Sequence, residues 1–204
     1  MKINTNLWNR IRYTIYTPVY DSVAKHFYHS RKLSIESLNI QKGDRVLIVG
    51  AGTGLDLEFL PKDCEVVATD ITPSMVERIK LRNEEYQLNL QTIVMDGQQL
   101  QFPDASFDKV ILHLILAVIP DPVACLKEAE RVLKPGGKIA VFDKFIRKGK
   151  KISLKRRLLN PLTNLLFSDI TRDVYQLVEH TKLNVLLDEE ANLNGNLRRL
   201  ILKK

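Results

Sequence analysis

Cysteine is scarce: Cys64 and Cys125 are the only two in 204 residues, and neither sits in a His/Cys spacing suited to a metal. That excludes a disulfide framework and a zinc-finger-like site, and both thiols are expected to be buried in a reducing compartment. Long hydrophobic runs are missing too. The longest, Val110 to Pro120, is interrupted by His113 and is far too short to span a bilayer. The opening residues, MKINTNLWNRIRYTIY, have neither an unbroken apolar stretch nor a small-residue cleavage site, so a cytoplasmic location is expected. No repeat or low-complexity linker divides the chain, which predicts one domain over residues 1–204. Acidic residues are absent from Lys144 to Ser168, while Lys144, Arg147, Lys148, Lys150, Lys151, Lys155, Arg156 and Arg157 crowd its first half. With a net charge of +7, anionic partners are favoured, nucleic acid and acidic lipid alike.

What is present is an alternation. Residues 1–40 read as helices rich in tyrosine, with Pro18 expected to separate two of them. GDRVLIVG is a short β-branched run of the kind buried in parallel sheets. A helix after Gly54 is expected to lead to the strand EVVATD, and a helix from Pro73 to about Tyr86 to LQTIVMD. FDKVILHLI, a helix from Pro122 to Leu133 and KIAVFDKF complete five strands, with KPGG stopping the last of these helices. The basic-then-apolar segment 144–168 and a helix from Thr171 to about His180 come next. Two strands then follow, LNVLLDE and NLRRLILK, joined by the turn signal Asn194-Gly195. The expected fold is α/β: a Rossmann-like, doubly wound, mostly parallel sheet with a C-terminal antiparallel hairpin.

The chemistry concentrates at three strand ends. VLIVGAGTG places Gly50, Gly52 and Gly54 between a strand and a helix start, where glycines permit a tight turn and close approach of the backbone to a ligand. Leu55 stands where a nicotinamide-dinucleotide fingerprint needs its third glycine, so the loop points to a ligand without a pyrophosphate. Asp70 ends the second strand 20 residues after Gly50, at the distance of a ribose-binding carboxylate; capping the next helix is the alternative role. Asp96 follows the third strand at the same sheet edge, where it can accept from an adenine amine or simply shape the turn before Gly97.

These segments, VLIVGAGTG, VVATDITPSM, MDGQQLQFPDASFDKV and AVIPDPVACLKEAERVLKPGGKIAVFD, resemble the class I S-adenosylmethionine-dependent methyltransferases. The nearest branch in motif pattern includes ubiquinone/menaquinone-type and bacterial phosphatidylethanolamine methyltransferases. The resemblance implies S-adenosylmethionine as cofactor. It assigns Gly50, Ala51, Gly52 and Gly54 to the methionine and ribose end, and Asp70 to the ribose hydroxyls. Ile71 and Met75 would pack on the adenine, with Asp96, Gly97 and Gln98 at its edge. It also places His113 by the transferable methyl, as a candidate base or a hydrogen-bonded core residue. The segment YTIYTPVYD resembles a lid element, which makes Tyr16 and Tyr20 lid candidates and Tyr20 a candidate catalytic group. One departure stands out: Ile48 replaces the acidic residue that usually precedes the first glycine by two positions.

For the acceptor, the absence of an Asn/Asp-Pro-Pro-aromatic motif after the fourth strand disfavours amino-methylation of nucleic-acid bases. Leu158, Leu159, Leu162, Leu165 and Leu166 form one apolar helical face behind the basic cluster. Such a segment suits the surface of an anionic membrane, or it packs on the sheet with its lysines solvated, and Pro161 is expected to interrupt it. A lipid or other hydrophobic acceptor is expected, phosphatidylethanolamine first by resemblance. The alternatives are a small soluble acceptor, such as a quinone precursor or thiol, and a non-catalytic cofactor-binding protein.

Overall fold

Seven strands form a single sheet. β1 (Arg45–Val49), β2 (Glu65–Asp70), β3 (Asn89–Val94), β4 (Phe107–His113) and β5 (Leu133–Lys144) run parallel, followed by β6 (Asn184–Asn192) and β7 (Leu197–Lys203). The spatial order is β3-β2-β1-β4-β5-β7-β6, with β7 antiparallel to both its neighbours. The computed structural model describes residues 4–147, 149, 152–192 and 196–204, and the side chains of all these except 17–25 and 192. The expected Asn194-Gly195 turn therefore lies outside the described residues.

Side chains alternate across a strand, so each central strand feeds two cores. Leu47 and Val49 of β1 join Val110, Leu112 and Val141 on one face, covered by α4 (Pro122–Val132) and α6 (Val174–Val178). Val46 and Ile48 join Ala68, Ile111 and Ala140 on the other, against Ile35 of α2 (Tyr28–Glu36) and Ile79 of α3 (Pro73–Tyr86). The sheet is thus wound on both faces, as the alternation predicts. Its order reverses between β1 and β4, which opens a crevice at the carboxyl ends of the strands.

The structure corrects four local expectations. The first helix, α1 (Asn6–Ala24), continues through Pro18, and the chain breaks instead at a 3-10 turn, Lys25–Phe27. The proline frees the carbonyl of Thr14, an exposed residue, where water can take its place. After Gly54 there is only a single 3-10 turn, Leu57–Phe59, because Pro61 drives Leu60 into an extended conformation (ψ 140°). Pro161 lies inside α5 (Leu154–Leu166) without ending it, again on an exposed side. Finally, α6 is only five residues long. Asp169 and Asp173 bind nearby backbone N–H groups and delay its start.

Candidate active site

A cleft of about 610 Å³, counting the space out to its open mouth, lies at the β1/β4 crevice. Gly50, Gly52, Asp70, Ile71, Met75, Asp96 and Gly97 line it, as do Leu114, Ile115, Val118 and Ile119 from the loop after β4. Asn6, Asn9 and Tyr13 of α1 close its outer side.

Asp70 is the buried anion of the cleft. One carboxylate oxygen accepts from the Gly52 N–H (2.9 Å) and the other from the Thr72 N–H (2.9 Å). Each oxygen keeps further acceptor capacity, as two adjacent hydroxyls require. Burial pushes its pKa up to about 6, against the opposing pull of the two N–H groups. Gly50 has φ +67°, and a Cβ there would stand 2.2 Å from Ile115 Cδ1; at Gly97 a Cβ would meet Val49 Cγ1 at 2.6 Å. Both glycines thus bring bare backbone to the cleft wall. Gly50→Ala should therefore push Ile115 out of place and add left-handed strain of about 1–2 kcal/mol. The expected result is a lower melting temperature and at least about tenfold weaker cofactor binding by calorimetry; near-native binding would show that the close approach is dispensable.

At the far end, the Asn6 amide donates to Asp96 Oδ2 (2.5 Å), and the Gln98 backbone N–H donates to Asp96 Oδ1 (2.9 Å). The Gln98 side-chain amide bridges to Asn6 Oδ1 (3.0 Å). The β4 loop is pinned from outside the motifs. Asp143 accepts from the Ala117 N–H (2.8 Å), while Arg172 donates to the carbonyls of Leu116 and Ile119. Leu114 holds φ +57° at the start of this loop, with its N–H on the Phe142 carbonyl (2.7 Å).

His113 lies apart from the cleft lining. Nδ1 is 2.9 Å from Asp56 and Nε2 is 3.0 Å from Ser34, in a buried cluster where Arg31 also pairs with Asp56 (2.8 Å). Burial pushes the Asp56 carboxyl up, but Arg31 and His113 outweigh it and hold it well below the usual carboxylate range. Ile48 is fully packed in the α2/α3 core. Ala51 and Gly54 support the glycine turn without lining the cleft: Ala51 N–H bonds Thr69 O (2.9 Å), and Gly54 abuts Ile79. Tyr16 faces α5, donating to the Leu166 carbonyl (3.1 Å) and stacking on Phe167. The Tyr20 side chain lies outside the described part. Sequence reading missed Asn6, Asn9 and Tyr13, although their i, i+3, i+7 spacing marks one helix face. Among the described residues, no His/Cys/Asp/Glu group is arranged to hold a metal.

A sheet of this order with a cleft at its switch point defines a Rossmann-like methyltransferase fold. Residues 47–141 match the family model for a methyltransferase domain, and this part of the chain is such a domain, of the S-adenosylmethionine-dependent class. The cleft fits that cofactor: Gly50, Gly52 and Gly97 present bare backbone along its wall, and Asp70 offers a buried carboxylate with lone pairs left to accept. The chain is 33% identical over 120 residues to a phosphatidylethanolamine N-methyltransferase of Cereibacter sphaeroides, a match covering 57% of this chain and 59% of that one. It is 29% identical over 184 residues to a demethylmenaquinone methyltransferase of Tropheryma whipplei, covering 84% and 76%. An S-adenosylmethionine-dependent methyltransferase from Aquifex aeolicus superposes with a TM-score of 0.64 at 17% identity, covering 84% and 88%, a likeness of fold.

Proposed function

We propose that this chain transfers a methyl group from S-adenosylmethionine to a membrane lipid, with phosphatidylethanolamine as the acceptor. The observation that carries the lipid reading is the surface of α5. None of its residues is buried, and Leu154, Leu158 and Leu162 are 72%, 72% and 57% exposed. Leu158, Leu159 and Leu162 face outward rather than onto the sheet, and of the five leucines of that face only Leu165 is half-buried. Lys155, Arg156 and Arg157 occupy the first turn of α5, where the helix dipole disfavours cations by a few tenths of a kcal/mol each. Cations set there against the dipole, beside exposed leucines, suit an anionic bilayer surface. No described helix is long and apolar enough to cross a membrane, so α5 would rest on it.

The cofactor supplies an electrophilic methyl group on a sulfonium. The chain has to hold, align and keep water out. Ionised Asp70 would hold the ribose hydroxyls, with Gly50 and Gly52 letting the backbone approach. Met75 and Ile71 would pack on the adenine, and Asp96, Gly97 and Gln98 would meet its edge. The pinned loop Leu114–Ile119 walls off the reaction. The ethanolamine ammonium has to give up one proton to water before its neutral amine can attack, and the product then carries, as a methylammonium, the positive charge that the sulfonium loses. In this reading His113, with both ring nitrogens engaged, is a positioning residue for the β4 end.

Mass spectrometry of mixed phosphatidylethanolamine/phosphatidylglycerol vesicles after incubation with protein and cofactor tests the acceptor. One demethylated cofactor is expected for each methyl group gained by the ethanolamine. The longer match to a demethylmenaquinone methyltransferase supports a second reading, a quinone precursor. Turnover of that acceptor with inert phosphatidylethanolamine would replace the first reading by the second. Cofactor binding with no turnover of either would favour a non-catalytic role.

Vesicle binding has its own check. Leu158→Ser/Leu162→Ser should fold as the parent does, since both side chains already face water. Each leucine withdrawn from water contributes about 1.5 kcal/mol, so the pair should weaken co-sedimentation with anionic vesicles up to about a hundredfold. Unchanged sedimentation would refute docking through α5.

A further inference from the structure

In the reading above the adenine amine meets Asp96, and that carboxylate is already occupied. An ionised carboxylate offers about four acceptor positions. Those on the near side are filled from its own turn: the Gln98 backbone N–H reaches Oδ1 (2.9 Å), and Gln98 Nε2 reaches Oδ1 (2.9 Å) and Oδ2 (3.1 Å). The last is filled from 90 residues away, where the Asn6 amide donates to Oδ2 (2.5 Å). While Asn6 stays, no position is left for the amine of a ligand.

The Asn6 amide also reproduces the chemistry of the base. Nδ2 donates to Asp96, and Oδ1 accepts from Gln98 Nε2 (3.0 Å). Donor and acceptor sit on one trigonal carbon, as the amino group and the adjacent ring nitrogen do on the Watson–Crick edge of adenine. The orientation is fixed. The Asp121 N–H donates to Gln98 Oε1 (2.8 Å), which turns Gln98 Nε2 toward Asn6. A reversed Asn6 amide would set its oxygen against the Asp96 carboxylate. Asn6 lines the cleft together with Asp96 and Gly97, so its amide and an adenine at that edge compete for one space.

Letting go requires little movement. Asn6 is the first residue of α1 and is half-buried. Other residues hold the body of the helix: Trp8 Nε1 donates to the Leu165 carbonyl (2.7 Å), Asn9 Nδ2 to Asn4 Oδ1 (3.1 Å), and Arg12 Nη1 to the Asn164 carbonyl (3.1 Å). Rotation about the Asn6 side-chain bonds frees Asp96 with these contacts intact.

We propose that Asn6 is a built-in competitor of the cofactor: its amide stands in for the adenine edge at Asp96 and Gln98, and the cofactor and its demethylated product bind by displacing it. The inference rests on the Asp96 reading above and adds the occupant. Both ligands carry the same base, so Asn6 weakens both by the same factor. The apparent dissociation constant is the intrinsic one divided by the fraction of molecules in which Asp96 is open. A charge-assisted bond keeps that fraction low, and an open fraction of about one in ten weakens binding about tenfold.

S-adenosylhomocysteine would be titrated by calorimetry at pH 7.5 into the parent and Asn6→Ala chains. Alanine is the best helix former, so α1 should stay folded, which circular dichroism checks. Asn6→Ala should bind about tenfold more tightly, whereas loss of a lid contact or of a purely structural bond would weaken binding. S-inosylhomocysteine, whose base has a carbonyl where adenine has its amine, tests the reading underneath. It should bind the Asn6→Ala chain at least about tenfold more weakly than S-adenosylhomocysteine, because its oxygen faces the Asp96 carboxylate. Unchanged or weaker S-adenosylhomocysteine binding by Asn6→Ala, with the two bases still distinguished, overturns the competition and leaves the Asp96 reading standing. Failure to distinguish the two bases overturns both.

Discussion

Asp70→Ala should weaken binding of S-adenosylmethionine at least about a hundredfold in calorimetry at pH 7.5. Two hydroxyls donating to a carboxylate contribute about 1.5–3 kcal/mol each, and the substitution removes both acceptors. It also leaves the Gly52 and Thr72 N–H groups without their partner, so circular dichroism must show a folded variant. The pH profile supplies a second readout. Asp70 titrates near 6, and ribose hydroxyls need its ionised form, so affinity should fall about tenfold between pH 7 and pH 5 and level off above pH 7. Stability of the free protein moves the opposite way. A folded pKa raised above the unfolded value means that the folded state takes up the proton first, so acidification from about 6 toward the ordinary carboxylate range stabilises it through this group. Binding by the Asp70→Ala variant should lack this dependence. Near-native affinity at pH 7.5 would refute the ribose role.

Asp56→Ala should lower the melting temperature by about 6–20 °C in differential scanning fluorimetry. The change leaves the buried Arg31 guanidinium without its carboxylate and His113 without its Nδ1 partner. Breaking a buried pair from one side costs about 3–5 kcal/mol, and a chain of this size loses about 2–4 °C per kcal/mol. Replacing Arg31 and Asp56 together by Met and Leu should recover much of the loss. A variant that melts within 2 °C of the parent but has lost turnover would move this cluster, His113 included, from positioning to chemistry.

The strand-end side of the cleft was legible in the sequence because its signals are local. Glycines beside a strand end, and Asp70 and Asp96 at the next two strand ends, identify an edge without tertiary knowledge. The remaining features depend on distant pairings. Asp56 meets residues 25 and 57 positions away, and Arg172 holds carbonyls more than 50 residues upstream. The α5 leucines show why pattern alone was insufficient: an amphipathic stripe reads the same whether it faces a sheet or water. Only their exposure decides between the two. Asn6 and Asn9 were missed because asparagine on a helix has no single meaning in sequence.

Residues 145–183 leave the sheet at β5 and return at β6, two strand spacings away, with β7 between. The cost of closing such an excursion grows only with the logarithm of its length, about 0.6 kcal/mol per doubling. The exposed stretch from Ser153 to Leu162 can therefore be lengthened or exchanged at little cost to the sheet, whereas Leu165 and Leu166 hold α1, Asp169 and Arg172 hold the β4 loop, and Val174, Leu177 and Val178 belong to the core. Divergence is therefore least costly on the outer face of α5, the face on which the proposed acceptor reading rests.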